Sequence, residues 1–221
     1  MSLKLYCTIF SPPVRAVMHT LKALNIPYTP IEIDLPKGET YSKEYRKINP
    51  QHTVPTIEEE DGFILWDSHA INSYLVDKYG KDDKLYPKDL RTRALVHQRL
   101  YFDSSVLFTS FLNTSVQIIR NKNIPKLTEG MKFPIDNAYG FVEKFLSGRQ
   151  YIAGDNITIA DFSILTCLTN LDIVVPITNE KYPLIKDYVK RGEANIPTYK
   201  ELEKAGRQKV IEVLKSCNFQ L

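Results

Sequence analysis

Leu3, Leu5 and Cys7 alternate with Lys4 and Tyr6, the period of two that puts apolar side chains on one face of a strand. From Val14 the period changes: Val14, Val17, Met18, Leu21 and Leu24 share a helical face, and Asn25–Pro27 ends that helix. Ile31, Ile33 and Leu35 alternate with Glu32 and Asp34, which predicts a second strand. A polar stretch with a short helix over about Thr40–Lys47 comes next. Val54–Glu58 and Phe63–Trp66 flank Asp61-Gly62, a hairpin signal. Asp67–Tyr79 reads as a helix with Ile71, Tyr74 and Leu75 on one face, and Gly80 stops it.

The order β-α-β-(α)-β-β-α opens with a parallel pair joined by a right-handed crossover, and the hairpin adds an antiparallel edge. That is the outline of a thioredoxin-like α/β domain over residues 1–80. Residues 81–89 are charged, contain Pro87 and read as a linker. Residues 90–221 carry almost no strand signal. Leu95 to about Arg120 predicts one long helix bearing Tyr101, Phe102, Phe108 and Phe111. Ile135, Ala138, Tyr139, Val142, Phe145 and Leu146 mark a second. Thr158 to about Leu171 is apolar nearly all round and belongs inside a bundle. Pro183 and Pro197 punctuate the rest of the chain, and Tyr199–Lys215 is a last amphipathic helix. The expected class is α+β in two domains, the second an all-α helical bundle.

Composition narrows the chemistry. The 29 basic residues exceed the 26 acidic ones by three, but they are scattered, so nucleic-acid binding is not expected. Cys7, Cys167 and Cys217 are far apart and form no C-x-x-C, which excludes a dithiol motif and a zinc site, and no metal is expected. Sparse cysteines suit a reducing, cytoplasmic compartment. The opening MSLKLYC has no apolar leader. Ser163–Ile177 contains Asp172 and Pro176 and is too short to span a membrane.

Several short stretches fit one family. Ser11-Pro12-Pro13-Val14-Arg15-Ala16-Val17 lies past the first strand. Asn49-Pro50-Gln51-His52-Thr53-Val54-Pro55 precedes the third. Trp66-Asp67-Ser68-His69-Ala70-Ile71 opens the third helix. With Leu85-Tyr86-Pro87-Lys88-Asp89 and Gly154-Asp155-Asn156-Ile157-Thr158-Ile159-Ala160-Asp161, they resemble the delta/epsilon glutathione transferases of insects, the epsilon class best, over essentially the whole chain. The resemblance implies glutathione as co-substrate, hydrophobic electrophiles as second substrate, and a homodimer. The reaction it implies is conjugation of the glutathione thiolate. A non-catalytic carrier of hydrophobic ligands and a glutathione-dependent peroxidase or isomerase remain open beside it.

By pattern alone Ser11 is the N-cap of the first helix, with Pro12 and Pro13 suited to its first turn. The resemblance implies instead that the Ser11 hydroxyl donates to the glutathione sulfur. A free thiol has a pKa near ~8.5, and lowering it by about 2 units needs ~2.7 kcal/mol. One hydrogen bond to a charged group supplies ~1.5–3 kcal/mol, and a helix N-terminus adds roughly 0.3–1 kcal/mol. The two together suffice. Pro12 and Pro13 offer no N–H, which puts more weight on the hydroxyl. Cys7, in phase with Leu3 and Leu5, reads as core.

For the peptide part of glutathione, the resemblance implies that Thr53, Val54 and Pro55 form the backbone site, with a cis Val54–Pro55 bond and the Val54 N–H and C=O pairing with the cysteinyl unit. Ser68 meets the γ-glutamyl carboxylate at a helix N-terminus, Asp67 meets the ammonium, and His52 meets the glycyl carboxylate. His69 is included with them, although packing or capping suits it as well, and Asp67 on its own pattern reads equally as an N-cap. Two positions depart from the family: Thr40 stands where a second histidine is frequent, and no basic residue lies near Phe111 and Leu112. Phe10, Pro13, Phe108, Phe111, Leu112 and Ser115, with Phe219 near the C-terminus, are implied to wall the electrophile pocket, although each aromatic also suits a core. Thr158 and Asp161 read as a capping box that serves folding.

Overall fold

β1 (Lys4–Cys7) and β2 (Thr29–Glu32) run parallel, β3 (Thr56–Glu58) lies antiparallel to β1, and β4 (Ile64–Trp66) lies antiparallel to β3, giving the sheet order β2-β1-β3-β4. These relations come from a computed structural model that describes residues 3–121 and 124–220. Helices α1 (Pro12–Ala23), α2 (Lys43–Ile48) and α3 (Ser68–Tyr79) accompany the sheet. The remainder is helical: α4 (Leu90–Phe102), α5 (Phe108–Arg120), α6 (Glu129–Leu146), α7 (Ile159–Val174), α8 (Pro183–Asn195) and α9 (Tyr199–Ser216). The expected fold class, a thioredoxin-like layer followed by a helical bundle, is the observed one.

The sheet's apolar face is the one read from alternation. Leu3, Leu5 and Cys7 are buried with Val14, Val17 and Leu21 of α1 and Ile71 and Leu75 of α3. The second core gathers around α7, where Ile159 to Leu171 is buried at every position but Thr169. α1 packs along α7 as well as α3, and Ala16 and Val76 join the helical core, so the two halves share one packed face. Each fully buried aliphatic side chain contributes about 1.5–3 kcal/mol. Among the described residues, no helix is long and apolar enough to cross a membrane.

The elements differ from expectation where local signals are overridden. β2 ends at Glu32, ahead of the alternation through Leu35. Ile33 N–H still reaches the Cys7 carbonyl at 2.8 Å, but the Asp34 carboxylate then accepts from Lys37 N–H at 3.0 Å and turns the chain. The long helix begins five residues earlier than expected, because Asp89 accepts from Thr92 N–H at 2.9 Å and caps α4. A wide turn over Asp103–Leu107 separates α4 from α5. Gly80 does follow α3, but with φ −64°, so no left-handed cap is present; a Cβ there would lie 2.5 Å from the Val76 carbonyl oxygen. α8 has no counterpart among the expected elements. Pro183 occupies its first turn, and its first N–H groups are capped from another helix: Leu184 and Ile185 N–H donate to the Glu143 carboxylate of α6 at 2.9 and 3.0 Å.

Asp161 plays the folding part read from its spacing. It is fully buried, and it accepts from Thr158 N–H (2.7 Å), the Thr158 hydroxyl (2.9 Å), Ile152 N–H (2.9 Å) and the Tyr188 hydroxyl (2.8 Å). Removing it strands four buried donors, each at about 1–3 kcal/mol. Asp161→Ala is expected to lower unfolding stability by about 3 kcal/mol or more, measured as a fall in the urea midpoint, with glutathione affinity of the folded protein unchanged. An unaltered midpoint would show that the carboxylate is dispensable to the fold.

Candidate functional site

The sheet register decides where a ligand can gather. β1 ends at Cys7 beside the start of β3, and Thr56 of β3 pairs with both Tyr6 and Trp66. The segment into α1, the loop into β3 and the N-terminus of α3 therefore all open at one end of the sheet. Two helices start there, and each N-terminus favours an anion.

Ser11 precedes α1 with an extended backbone, φ −84° and ψ 120°. Its N–H donates to the Thr8 carbonyl at 3.1 Å, and its carbonyl accepts from Arg15 N–H at 3.2 Å. Its hydroxyl makes no hydrogen bond among the described residues. A capping serine accepts from the second or third helical N–H. Here the second residue is Pro13, which has none, and the third, Val14, leaves its N–H unbonded among the described residues. Ser11 marks the end of the helix without making the cap bond, and its hydroxyl is left without a partner among the described residues. Cys7 offers no competing thiolate: it is wholly buried, and burial, with the Glu32 charge behind it, pushes its thiol up to about 12.

The loop into β3 is tied from beneath. Buried Asn49 donates through Nδ2 to the Thr53 carbonyl (3.0 Å), the Thr53 hydroxyl (3.1 Å) and the Thr56 hydroxyl (3.0 Å), and the Tyr45 hydroxyl donates to the Thr53 carbonyl at 2.7 Å. The Val54–Pro55 bond is cis, and among the described residues neither the N–H nor the C=O of Val54 has a partner. His52 is half-buried in the left-handed region (φ 48°), its ring 4.6 Å from that of Tyr41. Thr40 is buried at 3% exposure and lies in the interior. Sequence reasoning takes Asn49 only as part of a motif and misses its clamping role; its position just after α2 is the signal that could have found it.

Asp67 holds φ 73°, a strained conformation for a residue with a Cβ. Its Oδ1 accepts from His69 N–H (2.9 Å) and Ala70 N–H (3.2 Å), so it is the N-cap of α3. Its Oδ2 has no partner among the described residues, and the side chain is 58% exposed, so capping uses one oxygen and leaves the other unbonded. Ser68 is buried at 6% exposure, and no partner engages its N–H or hydroxyl among the described residues. A free hydroxyl, an unpaired strand-like residue and a capped helix start with a spare carboxylate oxygen thus stand at one sheet end.

The family models for the glutathione S-transferase N-terminal and C-terminal domains match residues 10–78 and 128–195. Glutathione S-transferase 1 of Manduca sexta is 39% identical over 215 residues, covering 93% of this chain and 94% of that protein. The chain belongs to the glutathione S-transferase family. An epsilon-class enzyme of the housefly, Musca domestica, superposes with a TM-score of 0.92 at 45% identity over 99% of this chain and all of its own. A homologue from Drosophila mojavensis, solved with bound glutathione, superposes with a TM-score of 0.93 at 42% identity over 100% and 99% of the two chains.

In this transferase the residues expected to wall the electrophile pocket do not share one environment. Phe10, Pro13, Phe108 and Ser115 are half-buried; Phe111 is 5% exposed and joins the helical core, and Leu112 is 45% exposed. The Phe108 and Phe111 rings sit 6.1 Å apart. Phe219 is core as well, held by its N–H to the Leu214 carbonyl at 3.1 Å. Two clefts, of about 470 Å³ between α7, α8 and α9 and about 600 Å³ between the end of α1 and the start of α9, touch none of these residues.

His69 turns to the protein. Its Nε2 lies 2.9 Å from Asp103 Oδ2 in the wide turn after α4, and its side chain is 14% exposed. A ring so engaged braces α3 against the turn after α4.

Arg15 has no role in the sequence reading beyond its place in the first motif, although it is the only charge among the apolar positions at the start of α1. It is fully buried, and all five of its N–H donors are used. Nε donates to Glu203 Oε1 (3.0 Å), Nη1 to the carbonyls of Ile9 (2.8 Å) and Phe10 (3.4 Å), and Nη2 to the Thr166 carbonyl (3.2 Å) and Asn170 Oδ1 (2.7 Å). Burial alone would raise the Glu203 pKa; the Arg15 charge and the His19 bond outweigh it and hold that carboxyl below the usual range.

Burial opposes charge on His69, but the hydrogen bond and charge of Asp103 outweigh it and raise the imidazole pKa. A raised folded value means the pair stabilises fully below the unfolded pKa of about 6.5 and loses that contribution as pH rises through the folded value. The stability difference between wild type and His69→Gln, from urea unfolding, is expected to be largest below about pH 6.5 and to shrink on the alkaline side. A constant difference across that range would mean the ring is uncharged in the fold.

Proposed function

We propose that this enzyme conjugates glutathione to hydrophobic electrophiles, with the Ser11 hydroxyl donating to the glutathione sulfur and holding it as thiolate. The observation that carries the reading is the Ser11 hydroxyl, unbonded at the start of a helix whose first two residues are prolines. With those N–H groups absent, the hydroxyl and the Val14 N–H are the donors at that end. The sulfur lone pair attacks the electrophilic carbon. In substitution a leaving group departs with its electron pair; in addition the adjacent atom takes up a proton.

The peptide is held by groups without protein partners. The Val54 N–H and C=O pair with the cysteinyl unit, the Ser68 N–H and hydroxyl bind the γ-glutamyl carboxylate, and Asp67 Oδ2 receives the ammonium. His52 faces the glycyl carboxylate, and Thr53 and Pro55 shape the loop. Phe10, Pro13, Phe108, Leu112 and Ser115 form the electrophile wall, with Phe111 supporting it from the core. The division into residues 1–80, a linker over 81–89 and residues 90–221, a homodimeric assembly and cytoplasmic residence complete the reading.

Loss of a hydrogen bond worth ~1.5–3 kcal/mol predicts that Ser11→Ala lowers kcat/KM toward a chlorodinitrobenzene-type acceptor by about 10- to 100-fold. Glutathione affinity, measured by calorimetry, is expected to stay within a few-fold. Full turnover in Ser11→Ala would return Ser11 to the status of a helix boundary, and tight glutathione binding without turnover on several acceptors would favour a carrier.

A further inference from the structure

The Ser11 hydroxyl has no partner of its own among the described residues, so the backbone that carries it sets the positions it can reach. That backbone is fixed from the two preceding peptide groups. Arg15 Nη1 donates to the Ile9 carbonyl at 2.8 Å and the Phe10 carbonyl at 3.4 Å, and Asn170 Nδ2 reaches the Phe10 carbonyl at 3.5 Å. The Ser11 N–H then closes the turn onto Thr8. The guanidinium that grips these carbonyls is anchored in the helical half, by Glu203 on α9 and by Asn170 and the Thr166 carbonyl on α7. α9 lies so close that a Cβ at Gly206 would stand 2.4 Å from Arg15 Nη1. A lysine could answer one of these partners as a point charge; only the planar fork answers all of them.

We propose that Arg15 is a positioning residue for the thiol step: with Asn170 and Glu203 it holds the Ile9–Phe10 carbonyls so that the Ser11 hydroxyl meets the sulfur, and the helical half thereby sets the thiolate chemistry of the sheet half. The inference rests on Ser11 being the group that meets the sulfur. Displacing a reacting group by about 1 Å costs about 100-fold in rate, and the carbonyls Arg15 grips belong to the two residues just before the serine. Nothing in this arrangement touches Val54, Asp67 or Ser68, so glutathione affinity is left to other groups.

The test is a double-mutant cycle of Arg15→Lys and Ser11→Ala. It reads the pH profile of kcat/KM, the ultraviolet absorbance of the bound thiolate, and glutathione affinity by calorimetry. Arg15→Lys is expected to raise the pKa of the bound thiol by about one pH unit and to lower kcat/KM at pH 6.5 about 10-fold, with affinity within about threefold. In the Ser11→Ala background the same change is expected to cost less than about twofold. Equal losses in both backgrounds, or weakened affinity with an unmoved thiol pKa, would overturn the proposal and leave Arg15 a purely structural ion. If Ser11→Ala alone leaves the thiol pKa unmoved, the Ser11 reading itself fails and takes this inference with it. Should Arg15→Lys not fold, Asn170→Ala keeps the Arg15–Glu203 pair and is expected to shift the thiol pKa in the same direction with about threefold loss in rate; no shift there would equally overturn the proposal.

Discussion

A guanidinium sealed from water is the constraint around which the rest of this protein is arranged. Arg15 has no exposed surface, and a charge so placed is tolerated only when every donor is met. Its partners come from the turn before α1, from α7 and from α9, so three segments distant in sequence must converge on one planar group. Breaking such a pair by removing one partner costs about 3–5 kcal/mol, whereas the intact pair adds little net stability over an apolar replacement. What the arrangement adds is direction: a planar fork accepts its partners in one geometry only. Gly206 belongs to the same constraint, because any side chain there would occupy the guanidinium's place.

The ligand end of the sheet obeys a complementary logic. Asn49, Tyr45 and Thr56 are hydrogen-bonded beneath the loop, while Ser11, Val54 and Ser68 keep groups without partners among the described residues. Asn49 and Tyr45 bind the Thr53 carbonyl from below, which leaves Val54 without a protein partner above. Asp67 caps α3 through one oxygen and keeps the other unbonded. Left-handed or strained backbone at His52 and Asp67 marks two places where the chain departs from easy conformations, and such departures cluster at ligand sites. The same division explains why His69, beside Asp67 and Ser68 in sequence, behaves differently: one residue further into the helix, its ring meets Asp103 and closes the joint between α3 and the turn after α4.

Much of the fold is legible in the sequence because periodicity reports burial directly. The alternation of Leu3, Leu5 and Cys7, the one-sided stripe of α1 and the all-round apolarity of α7 each name their own environment. Thr158 and Asp161 likewise announce a capping box by spacing alone. The departures share a cause. α8 escapes because its cap is a carboxylate on α6, a contact that no window around Pro183 contains. β2 is shorter than its pattern because the alternation through Leu35 continues past the point where Asp34 turns the backbone. Phe111 and Leu112 are neighbours in the wall the resemblance implies, yet one is core and the other open, since only packing gives the depth.

Sequence by itself therefore determined most of the elements, the fold class and the family, because hydrophobic period, turn chemistry and motif spacing are local properties of the chain. It also named Ser11, the Val54-Pro55 pair and Asp67-Ser68 as a set. Only the tertiary structure decided which of their atoms are unbonded, that Ser11 makes no cap bond, that His69 is engaged by Asp103, and that Arg15 is a five-donor hub. The last two depend on side chains from α7, α9 and the turn after α4, up to 188 residues away along the chain, and a hydrogen bond of that span leaves no trace in local pattern.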